Sequence, residues 1–231
     1  EIQQSSQPVS PDPFDGLNVN PPIPNVSCSG SYPTHDVSTA AALTTTHCGT
    51  VRLTSNITLT SPNQLITIYN GSLDLNGFTL QTASGGSATL IFTGQNITGG
   101  SVTYNHYPTS SVNNAGVLDI TAPSSGDFVG VAVMQDKRLN DSSKNNLDMT
   151  YTGNGPTLKI SGLIYFPKGD FDIRGAINHN TGGLACLGVV ADTILVSGTG
   201  AVFDNATSEC DVLGLVLPTI PNSNQRQALV Q

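Results

Sequence analysis

The chain has 231 residues, a formal net charge of −8 and only 10% charged residues. The negative electrostatic field of such a chain repels phosphate backbones, so the sequence argues against nucleic-acid binding. The eight Lys and Arg are scattered and form no basic patch, which argues against binding to an anionic membrane surface. No apolar run approaches the roughly 18 residues of a membrane-spanning helix. An abundance of Gly, Ser, Thr and Asn, with few helix formers, predicts an all-β protein.

Residues 1–27 are predicted to form a Pro-rich arm or linker. They hold six of the 14 Pro residues, with Gln, Ser and Asn between them, and such a segment has little to bury. The chain opens at Glu1 without a Met or a signal-like segment, so we expect a processed or trimmed product.

Residues 28–211 are predicted to form a single β-domain. Short apolar pairs separated by one position recur through this region, and each is followed within a few residues by a turn former; examples are Val51-x-Leu53, Ile57-x-Leu59, Ile66-x-Ile68 and Leu73-x-Leu75. Because Asn-Gly hairpin turns do not link the pairs, the pattern favours a right-handed parallel β-helix over a meander. An antiparallel β-sandwich or jelly roll is the alternative.

A five-residue pattern supports this fold. Two apolar residues on one face of a strand are followed by a Gly that is predicted to turn the chain, in the segments 158–162, 171–175 and 194–198. A related copy occupies residues 73–77.

Residues 212–231 are predicted to be a C-terminal strand and tail. The apolar run from Val212 to Leu217 carries no charge, so we expect it to cover a sheet edge, either its own or that of a neighbouring copy. If the run covers the sheet edge of a neighbouring copy, the chain forms a homo-oligomer or filament through its terminal segments, and this is the assembly that we predict.

The four Cys residues have no metal-type spacing and are predicted to form two disulfides. The sequence-local pairing is expected, Cys28 with Cys48 and Cys186 with Cys210; buried free thiols are the alternative. Disulfides place the chain in an oxidising compartment, outside the cytosol.

The candidate ligand-binding face is formed by Asp170 and Asp172. They alternate with Phe171 and Ile173, so their carboxylates share one strand face about 6.5 to 7 Å apart. An inverting glycosidase uses a pair at such a distance, and calcium would suit the same oxygens, but a solvated face balanced by Arg174 is the expected state. The four His share no metal-ligand spacing and no nucleophile or nucleotide motif occurs, so we expect no metal, cofactor or enzymatic activity.

Several motifs across about residues 47–210 resemble, in order, TadG-like proteins of the bacterial tight-adherence (Flp) pilus system. The motifs are residues 47–49, 70–73, 89–94, 117–126, 130–131, 135–138, 160–167 and 190–194, with Cys186, Gly198 and Cys210. The resemblance implies a structural or adhesive role at a bacterial cell envelope, with other pilus or envelope proteins as partners, and it brings no catalytic residues.

The sequence therefore predicts a non-catalytic extracellular structural or adhesive module associated with pili or cell-surface filaments. A polysaccharide-processing β-helix enzyme and a glycan- or calcium-binding adhesin are the alternatives.

Overall fold

The computed structural model describes residues 28, 30–94, 104–110, 116–139, 146–151, 157–173, 176–177, 184–196, 201–202 and 209–215. The predicted Pro-rich arm, residues 1–27, and the end of the predicted tail, residues 216–231, lie outside the described residues. Strands dominate the described part, where the helical elements are α1 (Ala40–Leu43) and a 3-10 helix (Cys210–Leu213). Thr39 caps α1, since its Oγ1 accepts a hydrogen bond from the Ala42 amide at 3.3 Å.

Sixteen strands make up the described part of the fold. They are β1 (His35–Val37), β2 (Thr46–Cys48), β3 (Val51–Leu53), β4 (Ile57–Leu59), β5 (Gln64–Tyr69), β6 (Leu73–Asp74), β7 (Thr79–Thr82), β8 (Ala88–Thr93), β9 (Pro108–Thr109), β10 (Val117–Thr121), β11 (Val131–Gln135), β12 (Met149–Tyr151), β13 (Thr157–Ile173), β14 (Ala176–Ile177), β15 (Leu187–Val196) and β16 (Ala201–Val202).

All strand pairings among the described residues are parallel. The largest sheet has ten strands: the order β2-β5-β8-β11-β13-β10-β7-β4 forms its main path, and β12 and β15 also pair with β13. A four-stranded sheet has the order β1-β3-β6-β9, and β14 pairs with β16. Among the described strands, β12 and β13 are the sequence neighbours that pair, and the other pairings form after the chain has passed through at least one intervening strand.

The core consists of apolar side chains that stand in register on neighbouring strands. One such row, all buried, is Ile57, Leu80, Leu118 and Leu158 on β4, β7, β10 and β13; another is Ile66, Leu90, Val133 and Ile164 on β5, β8, β11 and β13. Stacked strands lie about 4.8 Å apart, so each side chain packs against its counterparts above and below. We call the run β4-β7-β10-β13 and the run β2-β5-β8-β11-β13 the two arms of the sheet. The apolar alternation seen in the sequence thus places the core on one face of each arm.

The right-handed parallel β-helix expected from the sequence is wrong, and so is the antiparallel β-sandwich alternative. The ten parallel strands form a half-barrel with few helices, an arrangement closer to the sheets of α/β proteins. Strand β13 produces this single large sheet. It pairs with β10 through residues 157–161 and with β11 through residues 163–165, so it joins two runs of strands into one sheet.

Gly162 explains why the repeat misled the fold prediction. The Gly that ends the first five-residue pattern does not end a strand: it lies inside β13 with φ 137, a conformation that side-chain-bearing residues rarely adopt. A Cβ there would also lie 2.9 Å from the Gly130 carbonyl oxygen. Gly162 therefore bends the strand and lets it continue into the second arm.

The predicted C-terminal strand is also wrong for the residues described. The chain forms a 3-10 helix at Cys210–Leu213 that ends at Gly214, and the side chains of Leu213 and Leu215 are buried in the core. The Leu215 side chain packs over Gly130, and its amide donates to the Cys210 carbonyl at 3.0 Å. This segment thus covers the sheet with side chains and pairs with no described strand.

Two disulfides connect Cys28 to Cys48 and Cys186 to Cys210, with sequence separations of 20 and 24 residues. These are the local pairs expected from the sequence, and they are compatible with an oxidising, extracellular environment. No described helix has the length and apolar character needed to cross a membrane.

Candidate functional site: a polar groove

A polar row runs along the outer face of one arm of the sheet. On β4, β7, β10 and β13 the core residues alternate with Thr58, Gln81, Asp119 and Lys159, which are aligned in register. Gln81 Nε2 donates to Thr58 Oγ1 at 3.1 Å, so the amide of Gln81 is held in place by its neighbour. Alternation forces these four side chains outward, because their strand neighbours are needed in the core.

A groove of about 800 Å³ opens over part of this row. Its floor includes Gln81 and Thr82 of β7 and Asp119 and Thr121 of β10. The Thr121 amide donates to Thr82 Oγ1 at 3.0 Å, which ties the two floor strands together beyond their backbone pairing. The floor therefore presents fixed amide, hydroxyl and carboxyl groups.

The first wall of the groove is built from two turns and the loop after β10. Asn63 adopts φ 54, a left-handed conformation that Asn tolerates better than most residues, and its amide donates to Ser87 Oγ at 2.8 Å. Asn63 Nδ2 donates to Ser125 Oγ at 2.9 Å, across 62 residues of sequence. Gly85, at φ 79, has open space where a Cβ would be. This wall is thus polar, its side chains are hydrogen-bonded to one another, and there is free space beside Gly85.

The opposite wall comes from two distant segments joined by the Cys186–Cys210 disulfide. Leu184 precedes one cysteine, while Glu209 and Val212 flank the other, and all three line the groove. Glu209 Oε2 accepts a hydrogen bond from the Ala185 amide at 2.6 Å, which reinforces the covalent link. Val212 is 60% exposed, so this wall also offers an apolar contact.

Asp119 is the unusual group of the groove. The residue is partly buried, and its Oδ1 atom is inaccessible to solvent with no hydrogen-bond partner. Burial raises the pKa of this carboxyl, while the positive charge of Lys159 acts in the opposite direction. An acceptor kept dry without a donor costs folding free energy. Because solvent cannot reach Oδ1, only the remaining part of the Asp119 side chain that lines the groove is open to a ligand.

The predicted face of Asp170 and Asp172 lies elsewhere. Both residues are in β13, where Asp170 is level with Thr193 and Asp172 is level with Thr150 and Leu195, and neither lines the groove. The Asp170 amide donates to Asp148 Oδ1 at 2.8 Å. Both aspartates are partly buried instead of fully solvated, and Arg174, expected to balance them, lies outside the described residues.

Asp136 has a structural role. It follows β11, is buried, and accepts hydrogen bonds from the Arg138 guanidinium and from Thr93 Oγ1, the latter at 2.8 Å. Burial raises the pKa of Asp136, but these hydrogen bonds outweigh that effect and leave the pKa lowered. The carboxylate therefore fixes the corner after β11 and is not offered to a ligand.

The described residues include no group of three or more His, Cys, Asp or Glu placed to hold a metal ion. His35 and His47 approach each other, with ring centroids 6.4 Å apart, and His106 is buried at a distance along the chain; His179 lies outside the described residues. The two neighbouring rings stand beside the Cys28–Cys48 disulfide, where His35 Nε2 donates to the Cys48 carbonyl at 2.8 Å.

His47 predicts a pH dependence of stability. Burial lowers its pKa below the ordinary 6.5, although the hydrogen bond from Nε2 to the Leu43 carbonyl acts the other way. The unfolded chain then binds a proton more readily than the folded one, so stability is present above pH 6.5 and declines as the pH falls below it. We expect urea midpoints to drop between about pH 7 and pH 5, and to drop less in His47→Gln. An unchanged slope in that variant, with His35→Gln as control, would contradict this assignment.

Sequence reasoning missed Asp119, Gln81 and Glu209. A signal for the first two was present, since Leu80-Gln81, Leu118-Asp119-Ile120 and Leu158-Lys159-Ile160 each place one polar residue beside core residues at the same position of the strand pattern. Aligning those copies would have put the polar residues in one row. Glu209 carried no such signal, because only the disulfide and the chain path bring it to the groove.

No family model matches the chain, and neither a curated protein nor a solved structure matches it at a significant level.

Proposed function

We propose that this chain is a non-catalytic, extracellular adhesive module that binds a glycan in the polar groove. The observation that carries the proposal is a groove of about 800 Å³ whose floor and first wall present amide, hydroxyl and carboxyl groups, held in place by the hydrogen bonds from Gln81 to Thr58 and from Asn63 to Ser125. A sugar presents many hydroxyl donors and acceptors to such a surface, and each hydrogen bond to a charged group contributes about 1.5 to 3 kcal/mol.

The cellular setting is part of the same proposal. The two disulfides support an extracellular location, and the resemblance to TadG-like proteins supports a place among bacterial pilus or envelope proteins. The proposal includes assembly with other copies through the terminal segments. Leu213 and Leu215 are buried in their own chain. The segments that would cross between copies are therefore residues 1–27 and 216–231.

A polysaccharide-processing enzyme is the second candidate, because two carboxylates, Asp119 and Glu209, line one groove. We favour binding over turnover since Glu209 Oε2 already accepts the Ala185 amide at 2.6 Å and holds a wall in place. Incubation with a polysaccharide panel should release no new reducing ends. Release that disappears in Asp119→Asn would establish the enzyme instead.

The binding test uses Asp119→Asn, with Asp172→Asn as a control that removes the same charge from a partly buried position outside the groove. Asp119→Asn should weaken glycan binding about tenfold, which corresponds to about 1.4 kcal/mol. Because burial disfavours the charged form of Asp119 in the folded state, the same change should leave the melting temperature unchanged or slightly raised at neutral pH.

Glycan binding is measured by titration calorimetry against oligosaccharides that bind the parent. Asp172→Asn should bind like the parent. Equal weakening in both variants, or a large fall in melting temperature for Asp119→Asn, would show that Asp119 supports the fold and not the ligand.

A further inference from the structure

We infer that the outer edge of strand β15, the side that faces away from β13, receives residues 222–231 of a second copy as an added parallel strand. The inference rests on the assembly of copies in the proposed function and deepens it, because it names the surface that accepts a terminal segment. The structure describes that surface. The segment lies outside the described residues and is identified from its sequence.

Strand β15 (Leu187–Val196) is an edge of the ten-stranded sheet. It pairs with β13, and no described strand pairs with its other side. An edge strand presents a row of backbone donors and acceptors on its outer side. At ten residues, β15 is the second longest of the described strands. Such an edge is the usual acceptor when a protein binds an extended segment by strand addition.

The core row at the end of β15 is incomplete in the single chain. Met149, Phe171 and Ile194 stand level on β12, β13 and β15, and they are 2%, 0% and 47% exposed. Ile194 therefore covers Phe171 but is itself half exposed. The next residue, Leu195, points to the opposite face and is 48% exposed. An added strand with apolar residues at two neighbouring positions would bury both side chains.

The Pro-rich segment, residues 1–27, is a poor match for this edge. Its six Pro residues have no amide hydrogen to donate to a ladder. The segment also carries three acidic residues and no Lys or Arg, while Asp192 is the one charged residue of β15. Like charges would meet at the edge, and this disfavours pairing.

Residues 222–231 match the edge in length, charge and polarity. They contain no Pro, and they equal β15 in length. Arg226 is their one charged side chain, opposite in sign to Asp192. The uncharged run from Ala228 to Val230 follows, so the segment has apolar residues at neighbouring positions.

One register satisfies both the charge and the apolar contacts. A parallel ladder with Arg226 level with Asp192 pairs opposite charges. Ile194 and Leu195 come two and three residues after Asp192, so they are then level with the first two residues of the apolar run. The parallel direction is that of the existing ladder between β13 and β15.

A second copy supplies the segment. Ile194 and Leu195 remain about half exposed in the single chain, so their cover comes from outside it. The described residues end at Leu215, and residues 216–231 can span about 50 Å when extended. That length is enough to reach a neighbouring copy. Each copy can thus give one strand and accept another, as in the exchange of an identical element between protomers.

Sedimentation of the full chain tests the contact. The parent should form multimers, and association should weaken about tenfold in Leu195→Lys, which puts a charge in the apolar contact, and in Arg226→Glu, which sets a like charge beside Asp192. The matched control is Leu65→Lys. Leu65 is a 38% exposed apolar residue on β5, a strand that pairs with β2 and β8, so this variant should associate like the parent.

A cross-link identifies the occupant of the edge. A chain with Leu195→Cys is mixed with a chain with Leu229→Cys under oxidising conditions, and a disulfide-linked pair of the two should form, since level residues of paired strands come within disulfide range. Links between two Leu195→Cys chains would show that β15 pairs with its own copy. Links formed mainly within one chain that carries both changes would show that the chain covers its own edge. Either result overturns the inference.

Glycan titration of the same variants separates this inference from the binding proposal. Leu195→Lys should bind oligosaccharides like the parent, because Leu195 does not line the groove. A parent that stays monomeric at high concentration overturns the inference and leaves glycan binding standing, and so do multimers that persist unchanged in Leu195→Lys and Arg226→Glu. Weakened association in those variants, with no oligosaccharide bound by the parent, supports the inference and overturns the binding proposal alone.

Discussion

Replacing Arg138 with Ala is expected to destabilise the protein by about 3 kcal/mol, the lower end of the range for breaking a buried ion pair. The Asp136 side chain is fully buried, whereas that of Arg138 is 29% exposed, and their closest approach is 2.6 Å from Nη2 to Oδ2. The change leaves the carboxylate with Thr93 Oγ1 and the Arg138 amide as donors, but without a cation. Solvent reaches the guanidinium, so the loss falls short of that for a fully buried pair.

The matched control is Arg52→Ala. Arg52 pairs with Asp36 at 2.8 Å, but the side chains are 43% and 54% exposed, and an exposed pair contributes little. Urea denaturation of both variants gives the comparison, and Arg138→Lys should recover only part of the loss because an ammonium cannot replace the forked guanidinium contact. If Arg138→Ala and Arg52→Ala lost equal stability, the corner after β11 would not depend on the buried pair.

Removing the Cys186–Cys210 disulfide by a double change to Ser is expected to cost about 3.5 kcal/mol in the chain-entropy model, given a loop of 24 residues. It should also weaken ligand binding, because Leu184, Glu209 and Val212 reach the groove through the two segments that this bond joins. Loss of the bond leaves the hydrogen bond from Ala185 to Glu209, the one from the Gly162 amide to the Cys186 carbonyl, and the buried Leu213 and Leu215 to hold that wall.

The other disulfide provides the control for that prediction. Cys28–Cys48 closes a loop of 20 residues, so its removal should cost a similar amount of stability, but neither cysteine lines the groove. Thermal melts and glycan titrations of the two double variants should therefore agree on stability and differ on binding. Equal binding in both would mean that the disulfide-linked wall takes no part in recognition.

The sequence indicated many of the strands and their inward faces, although Ile194 of the third pattern copy is 47% exposed. The pairs Val51-x-Leu53 and Ile57-x-Leu59 coincide with β3 and β4, and their apolar residues are buried. Period-two alternation is a local property, so it can be read from a few residues. The local disulfide pairs could be anticipated for the same reason.

The way the strands assemble was beyond that reasoning. A Gly after two apolar residues reads as a corner, yet Gly162 bends β13 without ending it, and no local pattern distinguishes the two states. The groove could not be predicted from the sequence either. Asp119 meets Gln81 and Lys159 through strand pairing across about 40 residues of sequence, and it meets the wall at Glu209 across a still longer interval.

The continuity of β13 bears on how the molecule responds to load. Because this one strand forms ladders with both β10 and β11, neither arm of the half-barrel can detach without stripping hydrogen bonds from the strand that supports the other. Tension applied to one arm is therefore transmitted through the continuous backbone of β13 to the second arm. A module that holds a ligand on one arm while it is tethered through another segment would need that property.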